Sequence, residues 1–313
     1  MKEYITNQHR YYNVDFYYKD KYKSKVFKVA LNGNFTCPNR DGKLSTKGCT
    51  FCSDLGSGDF AGDKNHSLQM QFKTVKDMML LKWNNAKYIA YFQANTNTYA
   101  PISKLKDLFE QALLLDKDIV CLDIATRPDC ISEETLNYLA DLNTRTDVVV
   151  ELGLQTMHDT TAEAINRGYK LDVFVEAVKR LRSKNIEVIV HIINGLPKET
   201  KEMMIETVKF LNNLDIQGIK IHSLYILKGS IIEKQFNNKE FEMLSLSEYV
   251  DIVCEQLAHL RDDIVIHRIN GDAPRNLLVE PRWSLKKLVV MNEIDKEMKK
   301  RNYYQGSKLE KES

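Results

Sequence analysis

The constraint that most narrows the fold of this chain is a repeated alternation of short β-branched runs with longer amphipathic segments. The strand candidates are 26–31, 88–93, 119–125, 148–154, 186–193 and 219–226. Helical periodicity falls between them, near 74–83, 103–115, 132–142, 171–183 and 198–214. Ser132 followed by Glu133 and Glu134 reads as a helix N-cap, and Pro101 and Pro197 stop the elements before a helix begins. Strands joined by helices in this way pair in parallel, with helices covering the sheet. Six such units curl into an incomplete barrel, an α/β fold of (β/α)6 type. In barrels the chemistry collects at the carboxyl ends of the strands.

Beyond 228–230 the alternation changes. A helix at 245–260, a strand-like run at 264–269, the turn Asn270-Gly271-Asp272 and a last helix at 284–300 form a C-terminal α/β extension. The organisation expected is an N-terminal basic and aromatic segment (1–25), a partial barrel (26–230) and the extension (231–313).

Polar residues gather in the loops after the strands. After the first come Cys37, Cys49 and Cys52, and after the second the run Gln93-Ala94-Asn95-Thr96-Asn97-Thr98. Arg127-Pro128-Asp129-Cys130 follows the third and Asn194-Gly195-Leu196-Pro197 the fifth. Three thiolates hold three irons of a [4Fe–4S] cube and leave the fourth open for chemistry. A zinc knuckle with His66 or Asp54 as fourth ligand is the alternative, because a CxxC pair is common to both kinds of site. A single CxxC with a distant partner, set after the first strand of a long alternation, favours the cluster.

Composition excludes other classes. Hydrophobic residues make up 43% and charged residues 28%, and the net charge is +2. No apolar run reaches the roughly 18 residues of a membrane span, and the N-terminus has no apolar signal core. A cytoplasmic, reducing location with no membrane partner is therefore expected, which suits free thiolates. Residues 9–28 interleave Tyr and Phe with Lys and Arg, as surfaces that bind single-stranded nucleic acid do; the alternative is a segment lying over the barrel rim.

Together the cysteine loop, Tyr91–Pro101, Glu151-Leu152-Gly153-Leu154-Gln155-Thr156 and Ile192–Pro197 resemble the radical S-adenosylmethionine (SAM) enzymes. Within these they resemble the YtqA/YhcC subgroup, related to the Elongator catalytic subunit. The resemblance covers residues 5–300. Eleven residues separate Cys37 from Cys49, as in the long-loop branch that includes Elongator, rather than the three of the common CxxxCxxC.

The resemblance implies a radical SAM partial TIM-like barrel, with Cys37, Cys49 and Cys52 holding a [4Fe–4S] cluster and SAM as co-substrate. It places Glu151 and Gln155 at the methionine or ribose of SAM, Phe51 near the adenine, and the backbone of Ile193, Gly195 and Leu196 close by. Gln93 and Asn95 stand where relatives carry a GGE triplet. An ion pair is the alternative for Glu151.

As substrate the resemblance implies transfer RNA, at the wobble uridine of the anticodon loop. A 5-carboxymethylaminomethyl group would be taken to 5-aminomethyl, with an electron donor such as flavodoxin or ferredoxin and a later tRNA methyltransferase. Arg127 is the candidate for the substrate carboxylate and residues 11–25 for the phosphates; a structural ion pair is the alternative for Arg127. Cys130 is a candidate hydrogen donor or radical relay, against plain burial. His191 and His222 read as satisfied core histidines. A small-metabolite radical enzyme and a non-catalytic metal-dependent RNA-binding module are the competing functions.

Overall fold

The computed structural model describes residues 9–309 except 54, 55, 57, 82 and 84. The strands are β1 (Val26–Leu31), β2 (Lys87–Phe92), β3 (Ile119–Thr126), β4 (Asp147–Gln155), β5 (Glu187–Asn194), β6 (Gly218–Ser223), β7 (Ile226–Leu227), β8 (Val265–Arg268) and β9 (Leu278–Glu280). The helices are α1 (Val14–Tyr22), α2 (Leu68–Leu80), α3 (Ile102–Leu113), α4 (Glu133–Leu142), α5 (Asp159–Ala164), α6 (Leu171–Arg182), α7 (Lys201–Leu211), α8 (Ile231–Asn237), α9 (Leu246–His259) and α10 (Lys287–Lys300).

Among the described residues one sheet runs β1-β2-β3-β4-β5-β6-β8, every neighbouring pair parallel. The six expected strands are present, and the strand-like run of the C-terminal extension adds a seventh, β8, beside β6. The expected sixth strand is shorter than 219–226: it ends at Ser223, and Ile226–Leu227 turns away to pair antiparallel with β9. Two helices begin away from their expected starts because of their caps. Ser67 accepts from Met70 N and starts α2 at Leu68, ahead of residue 74, and Thr200 starts α7 at Lys201.

Side chains alternate across the strands. One set, including Val29, Leu31, Phe92, Leu122, Ile124, Val150, Leu152, Val190 and Ile221, packs beneath the helices. The other faces the inside of the curl, where Val26, Ile89, Cys121, Val149 and Ile189 form a small apolar floor with Tyr18 of α1.

Curling is required by the contacts above that floor. Lys28 on β1 and Lys220 on β6 both reach Glu151 on β4, at 2.7 and 2.5 Å. In a flat sheet β1 and β4 would stand about 14 Å apart, three strand spacings. No helix of the described residues is long and apolar enough to cross a membrane.

The N-terminal segment closes the amino end of the barrel. Tyr17 and Lys21 bond Glu187 at the start of β5, and Tyr22 bonds Asp147 at the start of β4. Tyr11 and Tyr18 are buried. Asn13 bridges to Ile266, Ile266 N donates to Tyr12 O, and Gln305 ties to both Arg10 O and Tyr12 N. Residues 11–25, the expected phosphate contacts, are thus placed at this amino end. Lys21 pairs with Glu187, Lys23 with Asp20 and Lys25 with Asp15, at the end of the barrel opposite the cysteine loop.

Candidate functional site

At the carboxyl end of the strands lies a cavity of about 290 Å³. Cys37, Cys49 and Cys52 all stand in its wall as free thiols. Their loop is turned tightly: Arg40 N and Asp41 N donate to Cys37 O, and Cys52 N to Cys49 O. It is then docked on the segment after α5. Thr50 N donates to Ile165 O at 3.0 Å, Asn39 Nδ2 to Asn166 O at 2.5 Å, and Asn166 Nδ2 to Gly48 O at 2.6 Å.

The surroundings act unequally on two of the thiols: the bond to Cys49, and then burial, hold the Cys52 thiol well above its ordinary value, while Cys49 is lowered. A hydrogen bond from Cys52 and the nearby Arg127 bring the Cys49 thiol down to about 7 against the opposing effect of burial, and Asn39 Nδ2 lies 3.5 Å from its sulfur. Of the two fourth ligands proposed for zinc, one is placed away from the thiols. His66 is exposed in a turn with Asp63 and does not face the cavity, and Asp54 lies outside the described residues. Among the described residues no three His, Cys, Asp or Glu side chains converge on one point as a single ion requires. The three thiols share one cavity wall, and three thiolates are the ligand set of a [4Fe–4S] cluster with one open iron.

Phe51, Gln93, Asn95, Gln155 and Ile193 line the same cavity, so five of the expected SAM-facing residues share a wall with the thiols. Gln155 is turned in by a register shift between β4 and β5 and has φ +66°. Asn97 does not face inward; its Nδ2 donates to Phe92 O and Ala125 O and braces the loop. Gly195 and Leu196 are set back from the cavity. Leu196 is buried in an apolar cluster with Ile165, Leu224 and Ile232, which Phe51 and Ile193 join. Gly195 has φ +86°, and a Cβ there would meet Leu244 at 3.0 Å. Glycine is needed here for the backbone angle and for Leu244, not for approach of a ligand.

Three of the expected site residues have partners within the chain. Glu151 lines the cavity, yet its carboxylate is fully used: Lys28 donates to Oε1, and Tyr91, His191 and Lys220 converge on Oε2 at 2.7, 2.7 and 2.5 Å. Burial would raise its pKa, but Lys220 and Lys28 outweigh that and hold it well below the carboxylate range. The ion-pair alternative describes it.

Arg127 also lines the cavity, but its fork is committed. Nε and Nη2 donate to Asp129 at 2.9 and 2.8 Å, and Nη1 to Arg167 O at 2.9 Å. It is a structural pair rather than an open carboxylate clamp. Cys130 sits on a short turn behind Arg127, outside the cavity wall. Its thiol is pushed up to about 12, by burial first and then by Asp129, which keeps it a protonated S–H.

Residues not singled out from the sequence matter as much. Arg167 is buried, donating to Leu154 O, Thr156 O and Tyr169 O, and Tyr169 lies between its guanidinium and that of Arg127, at 4.6 and 4.8 Å. This stack holds the end of β4 beneath the cysteine loop. Lower in the barrel, Lys28, Tyr91, Asp123, Glu151, His191 and Lys220 form one polar layer. Lys28 bonds Asp123 as well as Glu151. Burial, and then Glu151, push the Asp123 carboxyl up to about 7. Burial outweighs the carboxylates around Lys220 and brings it down to about 8. His191 is satisfied, as expected; His222, stacked on it at 5.2 Å, is not, since its buried Nε2 has no partner among the described residues.

Comparison with known proteins bears on this arrangement. A family model described as the Radical SAM superfamily matches residues 40–211, and one described as the Radical_SAM C-terminal domain matches 216–300. YtqA of Bacillus subtilis (strain 168) is 49% identical over 313 residues, 99% of this chain and 97% of that protein. A tRNA uridine(34) acetyltransferase of Methanocaldococcus jannaschii is 25% identical over 164 residues, 51% of this chain and 30% of that protein. Among solved structures, Elp3 of Methanocaldococcus infernus superposes with a TM-score of 0.68 at 18% identity, covering 90% of this chain and 64% of that one; the likeness is one of fold.

Proposed function

Because the chain belongs to the radical SAM superfamily, we propose that it uses this chemistry on the wobble uridine of transfer RNA, taking a 5-carboxymethylaminomethyl group to 5-aminomethyl and releasing the two-carbon arm as glyoxylate, with water supplying the aldehyde oxygen and SAM, cleaved to methionine and 5′-deoxyadenosine, accepting the two electrons. The family carries a [4Fe–4S] cluster and SAM. When bound, they supply a 5′-deoxyadenosyl radical able to remove a hydrogen atom from an unactivated carbon.

The residues of this chain divide the remaining work. Cys37, Cys49 and Cys52 hold the cluster. Phe51, Gln93, Asn95, Gln155 and Ile193 surround SAM on the adjoining wall. The polar layer and the apolar floor beneath it, with α1 underneath, exclude water from below. Turnover also requires a reductant, a flavodoxin or ferredoxin, and the aminomethyl product suits a later tRNA methyltransferase.

The observation that carries the reading is a cavity bearing the three thiols and open at the carboxyl end of the barrel, so a substrate group must enter from above. A base in an anticodon loop meets that condition, because loop bases are already unstacked and splay out onto protein surfaces. The similarity to a tRNA uridine(34) acetyltransferase supports the choice of RNA. The cysteine loop at the mouth presents Lys43 and Lys47 to solvent for phosphate contact.

The test is anaerobic turnover of transfer RNA carrying 5-carboxymethylaminomethyluridine, read by nucleoside mass spectrometry. Formation of 5-aminomethyluridine, dependent on SAM and reductant, is expected. Intact SAM cleavage with no change in the nucleoside would reject the RNA substrate in favour of a small metabolite. No SAM cleavage by cluster-loaded protein would leave the RNA-binding module.

A further inference from the structure

His222 of β6 and Arg268 of β8 line the same cavity as the thiols, with Lys220, and His222 stands beside Ile193 in the β5–β6 register. His222 Nε2 is shut off from solvent without a partner among the described residues. Such a group is costly to leave unbonded, so the nitrogen is set to meet an atom that the chain itself does not supply.

The charges around it are unequal. Deeper in the barrel Lys28 and Lys220 are matched by Asp123 and Glu151. Around Arg268, Asp272 is shared by two cations, Arg268 at 3.2 Å and Lys287, so it neutralises Arg268 only in part; Asp59 lines the same cavity. Arg268 spends Nη1 on Asp272, and its fork has further N–H groups to offer. Burial, and then His191, Arg268 and Lys220, hold the His222 imidazole well below its ordinary pKa. In its neutral form the ring carries one N–H, which serves this position when it sits on Nε2.

We infer that His222 and Arg268 form a carboxylate-binding site inside the barrel, filled by the acid end of a carboxymethylamino substrate; this identification of the ligand rests on the function proposed above. Arg268 supplies charge and His222 a directed N–H, a pairing suited to the two oxygens of one carboxylate. The site takes over the role that Arg127, committed to Asp129, cannot fill. It would also tell substrate from product, since 5-aminomethyluridine has no carboxylate.

The experiment measures binding by calorimetry on cluster-reconstituted protein with SAM present, using two nucleosides as probes, 5-carboxymethylaminomethyluridine and 5-aminomethyluridine, and N-methylglycine as a plain carboxylate. Wild type should prefer the carboxymethyl nucleoside at least tenfold. His222→Leu and Arg268→Gln should each cut that preference below threefold, while His222→Gln, which keeps an N–H donor, and Arg268→Lys, which keeps the charge, should retain more of it than these. Unfolding midpoints identify any variant that has lost its fold.

A preference that survives in both His222→Leu and Arg268→Gln would place the carboxylate elsewhere and overturn the inference, leaving the RNA reading intact. Binding of N-methylglycine but of neither nucleoside, lost in the same two variants, would keep the carboxylate site and overturn the RNA reading. Failure of all three probes to bind wild type would overturn the inference.

Discussion

Lys28 of the first strand and Glu151 of the fourth meet at 2.7 Å across the inside of the barrel. Neither could reach the other unless the sheet curled, so this contact reports closure of the fold as directly as the strand order does. Glu151 also answers Lys220, and its side chain is fully buried. Replacing it with Ala should destabilise the protein by about 3–5 kcal/mol, because two lysines lose their shared counter-charge. Urea unfolding at pH 7 gives the figure, and a loss under 1 kcal/mol would mean that water or another acid compensates.

Asp123 makes stability depend on pH in a direction unusual for a carboxylate. Its folded pKa, near 7, lies above its unfolded value, so between about pH 4 and pH 7 the native state holds a proton that the unfolded chain has released. Its contribution is complete at low pH and is lost as pH rises through 7. Compared with wild type, Asp123→Asn should therefore gain relative stability between pH 4 and pH 8. Urea midpoints of the two proteins across that range would contradict this if their difference stayed flat.

Iron binding should separate the six cysteines. Ser in place of Cys37, Cys49 or Cys52 should reduce iron retained after anaerobic reconstitution to a small fraction of wild type, since a hard oxygen ligand matches cluster iron poorly. Cys130→Ala should retain wild-type iron, its thiol lying outside the cavity wall. Cys37 is the informative case, because the family match begins at residue 40 and its membership of the site stands on its place in the cavity.

Arg167→Lys should loosen the cysteine loop although the charge is kept. A guanidinium satisfies three carbonyls at fixed angles, and an ammonium on a flexible stem does not reproduce that fork. Faster amide exchange at residues 48–52 and weaker iron retention are expected together. Unchanged exchange there would show that the Ile165 and Asn166 contacts hold the loop unaided.

Much of this was legible in the chain because the signals were local. Strand cores, the Ser132 cap and the CxxC pair each announce themselves within a few residues. Several polar centres also obeyed a local rule that is easily passed over. Lys28, Asp123, Glu151, His191 and Lys220 each interrupt an apolar strand, and a period of two places each on the inner face. Their mutual pairing was not legible, because it joins residues up to 192 positions apart, from Lys28 to Lys220, through a curl that no strand encodes alone. The pair made by Arg127 was hidden for the opposite reason: its partner Asp129 is two residues away, but only the turn at Pro128 brings the two together.

The ties from Arg10, Tyr12 and Asn13 to Ile266 and Gln305 bear on how the molecule is made. Residues 10–13 are made well before their partners at 266 and 305, whereas α1 itself is fastened sooner, through Asp147 and Glu187. At roughly 5–20 residues per second, residues 10–13 wait roughly 15 to 60 s for Gln305. Throughout that interval this end of the barrel lacks its last ties, and chaperones that shield nascent chains have their opportunity there.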